Sequence, residues 1–119
     1  LGVFAAIPKD RVTARSIEMS SLHYPLGGRV PEPGAAIAVA PGIGWVRLAV
    51  PGPLKHINCW LVEEEAGVAV VDCGLPLDPC KEAWRAVLNG RRVTRVIVTH
   101  MHPDHLGLAG WLTHKQRVR

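Results

Sequence analysis

The stretch from residue 68 to residue 98 constrains this chain most. It opens with an unbroken apolar run, VAVV at 68–71, the pattern of a strand covered on both faces rather than one alternating towards water. Asp72, Cys73 and Gly74 end that run. Asp78 then stands where it can cap a helix whose first residue is Pro79, with Cys80, Ala83, Trp84, Val87 and Leu88 on one face and Gly90 closing it. A second buried-type strand follows over 93–98. Strand, helix and strand in this order imply a right-handed crossover between parallel strands, so both C-terminal ends lie on one edge of a sheet. The crevice beyond that edge is where open α/β sheets take ligands.

The rest of the chain extends the sheet. Residues 36–40 and 44–50 read as two short strands parted by Pro41 and Gly42 in a hairpin pattern, and Pro51, Gly52 and Pro53 end the second. Over 56–63, Ile57, Cys59 and Leu61 alternate with His56, Asn58, Trp60 and Val62, the period of a strand with two unlike faces. Glu64 to Gly67 make a polar turn, and after a polar break at 100–105 residues 106–112 read as a helix. Residues 24–34, YPLGGRVPEPG, hold three Pro and three Gly and form a loop. Residues 1–18 show no clean period, and Met19 follows them directly. A poorly ordered extension over 1–21, or translation from Met19, is expected, with the domain over 22–119.

With 119 residues the chain can build one small core. A content of 48% hydrophobic and 20% charged residues excludes a disordered segment or a coiled coil, and no apolar run reaches the ~18 residues of a membrane span. The first apolar stretch is broken by Pro8, Lys9 and Asp10, unlike a secretory signal, so a cytoplasmic address is expected. The net charge of +4 comes from the tail after His114 and from residues 1–18, which leaves the middle balanced. That is a poor match to a nucleic-acid-binding face. Arg91, Arg92 and Arg95 cluster internally and read as a solvated turn before a strand. Cys59, Cys73 and Cys80 fit no paired zinc or disulfide spacing and are expected as reduced thiols.

The polar break reads T-H-M-H-P-D-H, from Thr99 through His100, His102 and Asp104 to His105. With six His and four Asp in the chain, an H-x-H-x-D-H pattern arises by chance with a probability of roughly 5 in 10,000. His100 and His102, two apart at the end of an extended strand, can turn their rings to one side and chelate one cation. Asp104 and His105 fall at a helix entrance, where neighbouring side chains diverge, and suit a second cation beside the first. Three imidazoles with one carboxylate favour Zn²⁺, without excluding Fe or Mn. Asp72, on the same sheet edge, is a candidate acceptor that orients a liganding His or the loop, with Thr99 beside it; alternatively Asp72 caps the turn at Gly74.

THMHPDH, preceded by VTRVIVT and further upstream by HINCWLVEEEAGVAVVDCG, resembles the first half of the metallo-β-lactamase fold superfamily, in its glyoxalase II-like group of general hydrolases. The resemblance covers roughly residues 22–114. It implies an α/β fold, α+β by some schemes: the first half of an αββα sandwich, a mixed sheet with helices on its outer face. It also implies that His100 and His102 bind one zinc, that Asp104 and His105 bind the other, and that Asp72 shapes the site. Later residues complete both metals in that family and a second half-domain forms the pocket, so a chain ending at Arg119 is expected to be a fragment. His114 is expected at the surface.

Three functions follow. The first is a metal-dependent hydrolase of a small-molecule ester, thioester or amide, in which metal-activated water attacks the carbonyl while Asp104 holds that water and takes its proton. The second is a phosphodiesterase or RNA-processing nuclease; the balanced middle and the lack of aromatic residues interleaved with basic ones argue against it. The third is an inactive metal-binding remnant. With both expected helices, at 79–89 and 106–114, on one side, the other sheet face is expected to lie bare and to drive self-association. The isolated chain is accordingly expected to hold substoichiometric zinc and to show no hydrolysis above background.

Overall fold

A computed structural model describes residues 22–116, so the expected extension over 1–21 lies outside the described residues. The strands are β1 (Ile37–Ala40), β2 (Ile43–Ala49), β3 (His56–Glu64), β4 (Gly67–Val71) and β5 (Val93–Ile97), and the helices are α1 (Asp78–Leu88), α2 (Pro103–Leu106) and α3 (Ala109–Gln116). The five strands form one sheet in sequence order. The first four run antiparallel, with two-residue links from β1 to β2 and from β3 to β4 and a six-residue loop from β2 to β3, whereas β5 returns through α1 to lie parallel to β4. This is the mixed sheet expected from the sequence. It places the C-terminal ends of β4 and β5 on one edge, where the amide of Asp72 donates to the carbonyl of Ile97 at 2.8 Å.

Strand register divides the side chains into two faces. Val46 pairs with Cys59, Leu48 with Ile57, Leu61 with Val70 and Val70 with Val96. These residues meet Cys80, Trp84 and Leu88 of α1 and Leu108 and Leu112 in one core cluster, so both helical segments cover the same face. Trp84 is fully buried, and burying apolar side chains of this size stabilises the fold by about 1.5–3 kcal/mol each. On the opposite face a row runs across the sheet through Ile37, Trp45, Trp60, Val71 and Ile97. Trp45 and Trp60 stack there at 6.4 Å, and Ile97 is 43% exposed. No helix of the described residues is long and apolar enough to cross a membrane.

Two local expectations need correction. Asp78 lies inside the first turn of α1, with Leu77 as the extended residue before it and no side-chain cap; its carboxylate stands 3.9 Å from Lys81 Nζ, one turn on. The helix closes on Asn89, left-handed at φ 46°, ahead of Gly90. The segment 106–112 is not one helix but a break between α2 and α3. There the amide of Leu108 leaves the helical pattern and donates to the carbonyl of Gly74 at 3.0 Å, which lets the Leu108 side chain enter the core. His114 is exposed, as its position implied.

Candidate metal centre

Asp72 ends β4 with a left-handed backbone, φ 58°, which turns its carboxylate from the ladder towards the loop after β5. It is 4% exposed. Oδ1 accepts from the Thr99 amide at 2.8 Å, and Oδ2 accepts from the Thr99 hydroxyl at 2.7 Å and from Nδ1 of His105 at 2.8 Å. Burial by itself would push this carboxyl upward, but the Thr99 amide, His105 and the Thr99 hydroxyl outweigh it and hold Asp72 below the usual carboxylate range. It stays ionised. The hydrogen bonds of its two carboxylate oxygens go to Thr99 and His105.

One carboxylate thereby fixes two imidazoles. The ionised Asp72 only accepts, so His105 carries its proton on Nδ1 and leaves Nε2 with a free lone pair. The Thr99 hydroxyl spends its single proton on Asp72 and therefore accepts from Nδ1 of His100 at 2.9 Å, which frees Nε2 of His100 in the same way. Nδ1 hydrogen-bonded behind and Nε2 open in front is the state in which histidine ligates a metal.

The four residues of the motif lie in one loop and helix entrance. The His100 ring centroid is 4.7 Å from that of His102 and 4.0 Å from that of His105. Ligand atoms of Asp72, His100 and His105 all fall within 4.8 Å of one another. Nε2 of His105 is 3.7 Å from Oδ2 of Asp104, and two atoms each ~2.1 Å from one cation stand at most ~4.2 Å apart, so this pair is within reach of a shared ion. His100 and His102 are exposed, while Asp104 and His105 are half-buried against the sheet edge. Imidazole nitrogens backed by a buried carboxylate, with a further carboxylate beside them, fit a divalent transition-metal cation.

Several residues behind this loop gave no sequence signal. The Cys73 amide and thiol both donate to the carbonyl of His105, at 2.9 and 3.0 Å, and the Trp84 indole donates to the carbonyl of Cys73 at 2.8 Å. A Cβ on Gly107 would stand 2.7 Å from the Pro103 carbonyl and 2.8 Å from that of Gly74, so only glycine fits where the two turns meet. The glycines directly after D-C and H-L are the trace of this in the sequence.

Residues 52–119 match the metallo-beta-lactamase superfamily. The chain belongs to this superfamily. A beta-lactamase domain protein from Burkholderia ambifaria superposes with a TM-score of 0.74 at 40% identity, over 81% of this chain and 32% of that one. A metallo-beta-lactamase family protein from Thermus thermophilus superposes with a TM-score of 0.58 at 30% identity, over 65% of this chain and 27% of that one. The uncharacterized protein YobT of Bacillus subtilis strain 168 is 40% identical over 55 residues, 45% of this chain and 23% of its own length. The chain thus spans about a quarter to a third of the length of these relatives.

Proposed function

We propose that this chain carries the ligand loop of a metal-dependent hydrolase acting on an ester, thioester or amide carbonyl of a small molecule, with Zn²⁺ as the cation. The observation that carries the proposal is the placement of His105, whose Nδ1 is held by buried Asp72 while its Nε2 opens 3.7 Å from Asp104. His100 and His102 would hold one cation and Asp104 with His105 the second. Divalent cations there supply Lewis acidity, polarising a carbonyl and making water more acidic. The chain's own residues do the rest. Asp72 makes the His105 imidazole a better donor, and through the Thr99 hydroxyl it does the same for His100. Asp104, half-buried beside His105, accepts a hydrogen bond from the attacking water and then its proton.

Two of the three arginines of the basic cluster are engaged by acids. Arg91 is paired with Glu63, and Arg95 with Glu64, which also accepts from Thr94. These two charges are spent within the sheet edge instead of facing a polyanion.

Zinc titration followed by the imidazole signals of His100, His102 and His105 tests the centre, and chelator-sensitive thioester cleavage by a longer protein that carries this segment tests the reaction. In the chain itself D104N is expected to weaken the zinc response of His105 and to leave that of His100 and His102. Absence of zinc-dependent shifts at these histidines, or chelator-sensitive RNA cleavage without thioester turnover, would overturn the proposal.

A further inference from the structure

On the sheet face that carries no helix, strand register places a second group of functional side chains at the same edge as the histidine loop. Trp60 of β3 pairs with Val71 and Val71 with Ile97. Two residues further along each strand, in the direction of the loop, stand Asn58 on β3 and Thr99 after β5, and Arg47 of β2 pairs directly with Asn58. Arg47, Asn58 and Thr99 are therefore level. His56, paired with Ala49, is one step further out on the same face.

This corner presents donors and positive charge. Nη2 of Arg47 lies 2.6 Å from both Nδ1 and Nε2 of His56, and since a guanidinium can only donate, the unprotonated ring nitrogen is the acceptor and the remaining N–H groups of the fork stay available. The Trp45 indole donates to Oδ1 of Asn58 at 2.8 Å. An indole cannot accept, so Oδ1 is the engaged atom and the NH₂ group of exposed Asn58 is left as a donor. Lys55, left-handed at φ 66° in the turn before β3, adds a second exposed positive charge beside His56. Among the described residues neither Arg47 nor Lys55 forms an ion pair with an acid. By contrast, Arg91 and Arg95 at the far end of the sheet are both neutralised by glutamates. A planar fork, an oriented amide and no acidic partner match the two oxygens of a carboxylate.

We propose that Arg47 and Asn58, with Arg47 braced by His56, form a recognition subsite for a carboxylate carried by the substrate of the histidine loop. The inference rests on the hydrolase reading and narrows its substrate class. Strands lie about 4.8 Å apart, so two to three strand spacings separate the subsite from Thr99. The substrates implied are carbonyl compounds with a free carboxylate remote from the bond that is cut, held about 10–14 Å from Thr99. Arg47 and Asn58 are specificity residues here, holding the remote end and taking no part in the bond-breaking step.

The test uses the metal-free chain, with succinate as the anionic probe and succinamide as its neutral counterpart at constant ionic strength. The Trp45 indole N–H and the His56 imidazole C–H signals are followed by NMR. Succinate is expected to shift both signals saturably, with succinamide silent, at least threefold weaker binding in R47K and none in R47Q. Dispersed amide signals from β4 establish that each variant is folded, and the comparison of the two probes needs only the unaltered chain. Equal shifts with succinamide, shifts that never saturate, or a response unchanged in R47Q would overturn the subsite. Zinc added in a separate titration reports on the metal reading alone. Zinc shifts at His100 and His105 without a succinate response remove the subsite and leave the centre, whereas a succinate response without zinc shifts refutes its role as part of a hydrolytic site.

Discussion

Both hydrogen-bond donors of Cys73, the amide at 2.9 Å and the thiol at 3.0 Å, end on the carbonyl oxygen of His105. The residue after Asp72 thus holds the backbone of His105 while Asp72 holds its ring. Main chain and imidazole are fixed by adjacent positions of one turn, so orientation and location of this proposed ligand are set together.

Replacing Asp72 with Asn should separate the two. The amide can still accept from Thr99, but it no longer offers a charged acceptor to both Thr99 and His105. Zinc affinity should fall about 10- to 100-fold, read by competition with a chromophoric chelator. An unchanged affinity would show that Asp72 matters for the fold alone.

Gly107→Ala should destabilise the chain by about 1–3 kcal/mol, because its Cβ has backbone oxygens on two sides and neither turn can yield alone. Gly110→Ala, in α3 with open space around it, is the internal contrast and should be neutral or stabilising by up to about 1 kcal/mol. Thermal midpoints of the pair measure both. Equal midpoints would contradict the close approach of Gly107 to Gly74.

Trp84→Phe keeps most of the apolar surface but leaves the buried carbonyl of Cys73 without its indole donor. The expected loss is about 1–3 kcal/mol in urea unfolding.

Burial pushes the Cys73 thiol up from 9.0 to about 11, with the Asp72 charge adding and the Leu108 amide opposing. The Cys59 thiol is raised further by deeper burial and by Asp72. The folded chain therefore holds these protons more tightly than the unfolded chain does. Its stability contribution is complete below pH about 9 and is lost as pH rises towards about 11. Urea midpoints across that window should fall, and iodoacetamide should leave both thiols unmodified near neutral pH until denaturant is added.

The face with Trp45, Trp60, Val71 and the exposed Ile97 should make the isolated chain self-associate. Sedimentation velocity should show a mean mass that rises with concentration, and Ile97→Thr should reduce that rise. A single monomer boundary throughout would count against association through this face.

The strands and α1 were legible in the sequence because each carries its own period: alternation in 56–63, an unbroken run at 68–71 and a helical stripe at 80–88. The histidine motif was legible because its ligand types are adjacent in the chain. The break at Gly107 and Leu108 was not, since the hydrogen bond that causes it comes from Gly74, far upstream. The misplaced cap has a local cause: Asp78 meets Lys81 within its own helix instead of a backbone amide. The grouping of Arg47, His56 and Asn58 depends on the register of β2 on β3, which no single stretch of sequence specifies.

Strand order has a kinetic consequence. From β1 to β4 every strand pairs with its neighbour in sequence, whereas β5 must wait for α1 to carry the chain back before it can dock on β4. Closing a longer loop costs more chain entropy and slows pairing. The histidines hang from this strand, so the meander behind them should be finished first and the ligand loop should be the final piece to lock. A cation bound there would act as a clasp on assembly, slowing the reopening of β5 while leaving the lifetime of the β1 to β4 meander unchanged.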